Sequence, residues 1–300
     1  MNQTDDHAQY GASSIPAGDL WFGEYYAPDV RFALQCQPLA RESSPYQQID
    51  FYQNATFGTF FTLNGFVQVT ARDEFIYHDM IVHPAMAVNP DIRRVLIIGG
   101  GDGGTAREVS RYPGVEKIDM VEIDEAVIRL CRRYLPQTAA VFDQEPRLHL
   151  TVGNGVDFVA QAADGAYDLL LVDSTDPVGP GEGLFTTAFY RDCYRILSDR
   201  GIMINQQEGA FYPQDRWEMQ RAHKKVDAVF PVSLLYGFNM PTYASGYWYF
   251  GFASKGLHPL DDLQAGAWRS LGLQTKYYNE DIHRASFALP NYVRDVLRPE

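Results

Sequence analysis

Arg94-Val95-Leu96-Ile97-Ile98-Gly99-Gly100-Gly101-Asp102-Gly103-Gly104 decides the fold. Its apolar run is too short for a helix and empties into five glycines broken by a single aspartate. Residues 105–112 then read as the start of a helix. A buried parallel strand, a tight turn and a helix N-terminus, in that order, open a βαβ unit. Glycine at the turn lets the backbone approach a ligand, because no Cβ stands in the way. About twenty residues after Asp102 the next apolar run ends on Glu122, the position from which an acid binds ribose hydroxyls. The motif therefore points to a nucleoside. Asp102 stands where a pyrophosphate would lie, and a carboxylate repels phosphate. This argues against a dinucleotide and for a cationic ligand, such as an adenosyl sulfonium carrying an amine.

Outward from this unit, strand and helix patterns alternate: strands at 94–98, 116–122, 147–152, 167–173 and 201–206, helices at 103–112, 124–134, 155–163, 187–198 and 213–229. Two β-rich runs, 232–238 and 247–253, close the series, and their short connection makes them antiparallel. The expected fold is α/β: a Rossmann-like, seven-stranded sheet of the methyltransferase type. That last step is an analogy at the level of the fold. A helix is expected over 70–88, with Pro84 ending or kinking it. Residues 1–18 read as disordered, 19–71 as a small antiparallel β domain and 72–300 as the catalytic domain. Within the β unit, Asn64-Gly65 between alternating runs signals a type I′ hairpin. So small a unit is expected to pack on the main domain or on a second subunit.

The 300 residues carry a formal net charge of −13, which disfavours nucleic acid and suits cationic small molecules. The three cysteines lie far apart without a CxxC or Cys/His cluster, a reduced, cytoplasmic pattern with no structural metal. The polar N-terminus is no signal peptide, and no apolar run approaches membrane-spanning length.

In an open α/β sheet, ligands bind beyond the carboxyl ends of the strands. Asp102, Glu122, Gly153-Asn154-Gly155 and Asp173-Ser174-Thr175-Asp176-Pro177 stand there, with no lysine or arginine among them. Asp124 reads as a helix N-cap. Uncompensated carboxylates in a crevice are costly unless a cation arrives, so the missing partner is expected to be the substrate.

Across nearly the whole chain from Trp21, the sequence resembles the polyamine aminopropyltransferases, most of all the bacterial spermidine synthases. The matching segments include Pro45-Tyr46-Gln47, Leu63-Asn64-Gly65-Phe66-Val67-Gln68, Arg72-Asp73-Glu74-Phe75-Ile76-Tyr77-His78, the Gly99 to Gly104 loop, Glu122-Ile123-Asp124, Asp173 to Pro180, and Pro241-Thr242-Tyr243-Ala244-Ser245-Gly246. That family moves an aminopropyl group from decarboxylated S-adenosylmethionine, a co-substrate and not a cofactor, to an amine, leaving methylthioadenosine. The resemblance implies that Gln47 and Glu122 hold the nucleoside at its ribose, with Gly99 and Gly101 beside it. Asn154 and Gly155 fall at adenine, next to Pro180; Asn154 stands where the family commonly has aspartate. Asp102 would hold the aminopropyl ammonium, and Asp173, helped by Tyr77, would accept the proton of the attacking amine. His78, Gln68, Asp176, Gln206 and Tyr243 would line the amine channel, with Trp21 and Phe211 as further walls. Putrescine is the expected acceptor; cadaverine, agmatine or a longer polyamine would satisfy the same residues. A methyltransferase on the same fold would prefer a partner for the methionine carboxylate, which Asp102 opposes. A nucleoside-binding homologue without catalysis is the remaining alternative. The 174–183 loop, rich in Gly and Pro, suits a lid, and a homodimer or homotetramer is expected.

Overall fold

The strand that carries the glycine loop lies in the middle of the largest sheet, and its neighbours explain its composition. The computed structural model describes residues 20–175 and 179–298. The disorder expected over 1–18 and the site residue Asp176 lie outside the described residues, as does the Pro180 side chain.

Strands β1 (Trp21–Ala27) and β2 (Val30–Gln35) form an antiparallel pair, and β3 (Gln37–Ser43), β4 (Gln48–Asn54), β5 (Gly58–Leu63) and β6 (Phe66–Thr70) form an antiparallel sheet. The β5–β6 turn has positive φ at both Asn64 (51°) and Gly65 (86°), as a type I′ turn requires. Helix α1 (Glu74–Val88) follows, then β7 (Arg94–Gly99), α2 (Gly104–Ser110), β8 (Lys117–Glu122), α3 (Glu125–Tyr134) and two single turns, α4 (Pro136–Ala139) and α5 (Val141–Gln144). After them come β9 (Leu148–Val152), α6 (Gly155–Gln161), β10 (Tyr167–Asp173), α7 (Thr187–Ile196), β11 (Leu197–Gln206), α8 (Pro213–Asp227), β12 (Val232–Asn239) and β13 (Tyr247–Ser254). Three short helices close the chain: α9 (Ala265–Ser270), α10 (Glu280–Ser286) and α11 (Asn291–Leu297).

The large sheet has the order β12-β13-β11-β10-β7-β8-β9, parallel from β11 to β9, with β13 antiparallel to both its neighbours. Because both faces are covered, β7 reads as a continuous apolar run. Val95 and Ile97 pack into the core that contains α1, while Leu96 and Ile98 pack into the core against Phe189, Tyr190 and Ile196 of α7. The chain leaves β7 towards β8 on one side and returns through β10 on the other. That reversal opens a crevice between the carboxyl ends of β7 and β10. The N-terminal sheet packs on the main body as expected: Ile49, Phe51, Phe61 and Leu63 meet Val127, Leu130 and Cys131 of α3.

Helix α1 departs from expectation at its start. It starts at Glu74, because Thr70 still pairs with Phe60 in β6 and the turn is closed by a 2.5 Å hydrogen bond from the Thr70 hydroxyl to Asp73. Pro84 does not end it. Proline cannot donate to the carbonyl four residues back, and here the carbonyl of Met80 accepts the Tyr236 hydroxyl at 2.7 Å instead. The helix thus continues to Val88. Fourteen of its fifteen residues are buried, so its polar residues need partners inside the protein. Asp79 meets this by accepting the backbone N–H groups of Lys276 (3.1 Å), Tyr277 (2.8 Å) and Tyr278 (3.2 Å) on one oxygen, while its other oxygen lies 3.4 Å from His83 Nε2. No described helix is long and apolar enough to cross a membrane.

This carboxylate fixes the segment after β13 to the back of the sheet. Asp79→Asn removes the charge that three N–H donors share, and a loss of about 3 kcal/mol in unfolding free energy is expected. Urea unfolding would measure it. Trypsin should also cut faster after Lys276.

Candidate active site

Beyond the strand ends lies one cavity of about 360 Å³, within the range of small-molecule sites. Its floor is the carboxyl edge of the large sheet, and β1, β5 and β6 supply walls through Glu24, Phe61, Leu63 and Gln68. Gly99 has φ of +85°, and a Cβ there would overlap the backbone carbonyl of Asp173; Gly100 N–H donates to that same carbonyl at 2.9 Å. Glycine is thus required to bring Asp173 and Asp102 to the same place. At Gly101 a Cβ would sit 2.9 Å from a Glu122 carboxylate oxygen.

Asp173 ends β10. One carboxylate oxygen accepts the Tyr77 hydroxyl at 2.8 Å, and the other accepts the Thr105 hydroxyl at 2.6 Å. Burial, and then the nearby charge of Asp102, push the Asp173 carboxyl above its ordinary range. Burial and Asp173 likewise push the Tyr77 phenol well up, so Tyr77 stays a donor. Asp102 caps the turn by accepting Gly104 N–H at 2.8 Å, and it faces His78 Nε2 at 3.3 Å. The other ring nitrogen of His78 lies 2.6 Å from Glu74, which Arg107 grips through two hydrogen bonds of 3.0 and 2.9 Å. Burial would lower the His78 pKa, but Asp102 and Glu74 outweigh it and push it up to about 10. Burial pulls Glu74 upward as well, but His78 and Arg107 prevail and hold its carboxyl at about 2. The expectation that these carboxylates have no basic neighbour inside the protein is therefore corrected: His78 stands beside Asp102, on a helix whose sequence carries no sign of which strand end it faces.

On the β8 and β9 side, Glu122 is buried and accepts Asp124 N–H at 2.9 Å. Burial first, then Asp124 and Asp173, raise its pKa to about 7. Gln47 reaches across from the N-terminal sheet and donates to Asp124 at 2.9 Å, so Asp124 both caps α3 and orients Gln47. Asn154 caps α6 by accepting Val156 N–H at 2.8 Å, and Gly155 fits where a Cβ would strike Ile98. Gln47, Glu122, Asn154, Gly155, Gly99 and Gly101 all line the cavity.

On the β11 and β13 side, Gln206 and Tyr243 line it together with Gln68, whose carbonyl accepts the Tyr243 hydroxyl. Trp21 and Phe211 do not belong to the walls. Trp21 borders a separate hollow with Leu20 and Phe22, and Phe211 points to solvent at 63% exposure. Sequence reasoning missed Glu24, Glu208, Asp215 and Trp248, which the structure adds to this end. In the sequence Thr105 reads only as the start of a helix, and Glu74 only as part of the 72–78 segment. Of the 174–183 loop expected to act as a lid, Ser174, Thr175 and Gly181 line the cavity, with Leu184 just beyond it. Among the described lining residues there are six carboxylates (Glu24, Asp102, Glu122, Asp173, Glu208 and Asp215), one histidine and no lysine or arginine. Such a site favours an organic cation.

Residues 74–262 match the family described as the spermine/spermidine synthase domain, and residues 20–71 match the spermidine synthase tetramerisation domain. A polyamine aminopropyltransferase from Clostridium acetobutylicum is 59% identical over 280 residues, covering 93% of this chain and 98% of that protein. One from Alkaliphilus oremlandii is 50% identical over 283 residues, covering 94% and 99% respectively. Among solved structures, a spermidine synthase in complex with the transition state analogue AdoDATO superposes with a TM-score of 0.90 at 38% identity, over 96% of this chain and 98% of that one. Spermidine synthase from Thermotoga maritima gives 0.89 at 38% identity, over 96% and 97%.

The raised Glu122 pKa has a signed consequence. Between the ordinary carboxylate range and pH 7 the folded protein holds a proton there that the unfolded chain releases, so ionising Glu122 costs stability as pH rises through that window. Glu122→Gln should remove on the order of 3 kcal/mol of that dependence. Urea unfolding of both proteins at pH 4.5 and pH 7.5 would show it as a flatter pH response.

Proposed function

The chain belongs to the spermine/spermidine synthase family and is an aminopropyltransferase, and we propose that it moves the aminopropyl group of decarboxylated S-adenosylmethionine to putrescine, leaving spermidine and methylthioadenosine. The observation that carries this reading is the row of carboxylates across the strand ends, with no lysine or arginine among the described lining residues. Neighbouring strands are about 4.8 Å apart, which makes the sheet order a ruler. Nucleoside over β8 and β9, sulfonium over β7 and β10, and acceptor over β11 and β13 follow one another along it.

In this reading Gln47 and Glu122 bind the ribose, and Asn154 and Gly155 face adenine beside Pro180. Gly99 and Gly101 let the nucleoside lie close to the backbone. Asp102 takes the ammonium of the aminopropyl group. Gln68, His78, Gln206 and Tyr243 line the path of the acceptor, with Asp176 assigned there by the family pattern. Glu24, Glu208 and Asp215 add negative charge at its outer end, suited to the second ammonium of a diamine.

The nucleophile must be neutral, whereas alkyl amines are protonated at pH 7. From an aspartate near 3.9 and an ammonium near 10.4, proton transfer in water is uphill by about 6 units, or about 9 kcal/mol. The site narrows that gap from both sides. Burial and Asp102 raise Asp173, while the sulfonium and low dielectric lower the pKa of the amine. Tyr77 and Thr105 hold one Asp173 oxygen each, which leaves the remaining lone pairs for the amine. Asp173 accepts one ammonium proton, and the freed lone pair attacks the methylene carbon. The carbon–sulfur bond then breaks with its electrons remaining on sulfur. The product amine keeps the positive charge, and the proton on Asp173 leaves to solvent. The sulfur is cationic before the bond breaks and departs as a neutral thioether, so the displacement calls for neither a metal nor a cofactor.

We further propose a cytoplasmic location, supported by three buried free thiols. Assembly as a homodimer or homotetramer through the N-terminal sheet is supported by the exposed Leu20, Leu39 and Phe66 and by the family match of that segment.

The test is an acceptor screen with decarboxylated S-adenosylmethionine, reading methylthioadenosine and the amine product by mass. Putrescine is expected to turn over fastest. Faster turnover of cadaverine, agmatine or a longer polyamine would overturn the acceptor and keep the chemistry. Asp173→Asn should lower kcat by roughly 10²- to 10⁴-fold while nucleoside binding survives; full activity in that variant would remove Asp173 as the base.

A further inference from the structure

His78 sits between two carboxylates, one on each ring nitrogen: Glu74 at 2.6 Å from Nδ1 and Asp102 at 3.3 Å from Nε2. A neutral imidazole has one N–H and one lone pair, so it would turn a lone pair towards one of them. Nε2 makes no hydrogen bond, but it lies at ion-pair distance from Asp102, and only the doubly protonated ring is attracted to both carboxylates. The same Nε2 side of the ring faces the site, where His78, Asp102 and Asp173 each place a ligand-type atom within 4.8 Å of the other two. One side of the ring lies directly against Gly104, where a Cβ would overlap it. Behind the ring, Glu74 is locked by the two-pronged Arg107 contact, and Arg107 touches Glu108 at 3.0 Å.

We propose that Glu74 and Arg107 are positioning residues that hold His78 as a cation, and that this cation keeps Asp102 and Asp173 ionised together in the empty cavity. Two carboxylates so close, one buried and one half-buried, would otherwise share one proton, as like charges do. Asp173 would then meet its substrate already protonated and unable to act as a base. The titratable groups around the ring are Glu74 and the neutral Tyr77 from α1, Asp102 from the β7–α2 loop and Asp173 from β10. Arg107 acts through Glu74, and Glu108 acts through Arg107, both from α2. The proposal rests on the reading of Asp173 as the base.

A purely structural Glu74–Arg107 clamp between α1 and α2 would explain the same contacts, so the test reads protonation directly. Protein labelled with ¹³C at histidine Cε1 carries seven such signals, and His78→Gln identifies the one of interest. In the wild type that signal is expected to stay in the imidazolium position from pH 6 to pH 9. In Glu74→Gln it should titrate inside that range. The acid limb of kcat/KM should also move to higher pH by about one unit, a roughly tenfold loss on that limb. The double variant Glu74→Gln/Arg107→Gln leaves no lone buried charge and should shift the limb in the same direction with a smaller loss of stability. A wild-type His78 that is neutral at pH 7 overturns the proposal, whichever amine proves to be the acceptor and even if the Glu74 variants fail to fold. So does a folded Glu74→Gln protein with an unmoved pH profile. A different preferred acceptor alongside a persistent His78 cation strikes at the putrescine assignment alone.

Discussion

Helix α1 is surrounded by protein on every side, yet it carries Glu74, His78, Asp79 and His83. A buried charge without a partner costs several kcal/mol, so each of these residues dictates what must pack around it. On one side the demand is met by Arg107 from α2 and by Asp102 at the end of β7. On the other it is met by the backbone of Lys276, Tyr277 and Tyr278 and by Glu108. The helix thereby fixes the rear of the cavity and the position of the C-terminal helices at once. Tyr77 lies between these two networks and points forward at Asp173.

The cavity is acidic without being a simple sink of negative charge. Along the sheet edge, Asp102 is balanced by His78, while Glu122 and Asp173 are pushed upward by burial. Each carboxylate has a different answer to the same low dielectric: one is paired, one sits near neutrality and one is held by two hydroxyls. A row of similar residues becomes a graded series of electrostatic states.

Much of this was legible in the chain. The 94–104 stretch placed the central strand, the turn and the helix, because a strand buried on both faces has only one kind of sequence. Asn64-Gly65 placed its hairpin because two successive positive φ angles select those residues. Cavity-lining residues at the strand ends could be found because ligand crevices in this topology open beyond those ends. What could not be read came from contacts between distant segments. Glu24 enters the cavity while accepting Val67 N–H at 3.2 Å, a pairing no local pattern encodes. Thr105 looked like any first-turn residue, and its role depends on where β10 ends. Pro84 looked like a stop, and only the Tyr236 hydroxyl on a distant strand makes it tolerable. The helices after residue 264 span six or seven residues each, too few for a periodic signal.

The cavity's walls belong to two different sheets, with Gln47, Phe61, Leu63 and Gln68 from the N-terminal strands facing Asp102, Glu122 and Asp173 from the large one. Any molecule that fills the space touches both and adds its binding energy to the contact between Phe51, Phe61 and the face of α3. By mass action, ligand and sheet docking are then halves of a single equilibrium: whatever loosens the N-terminal sheet weakens binding, and a filled site resists the loosening. Affinity is a property of the joint as much as of the residues that line it.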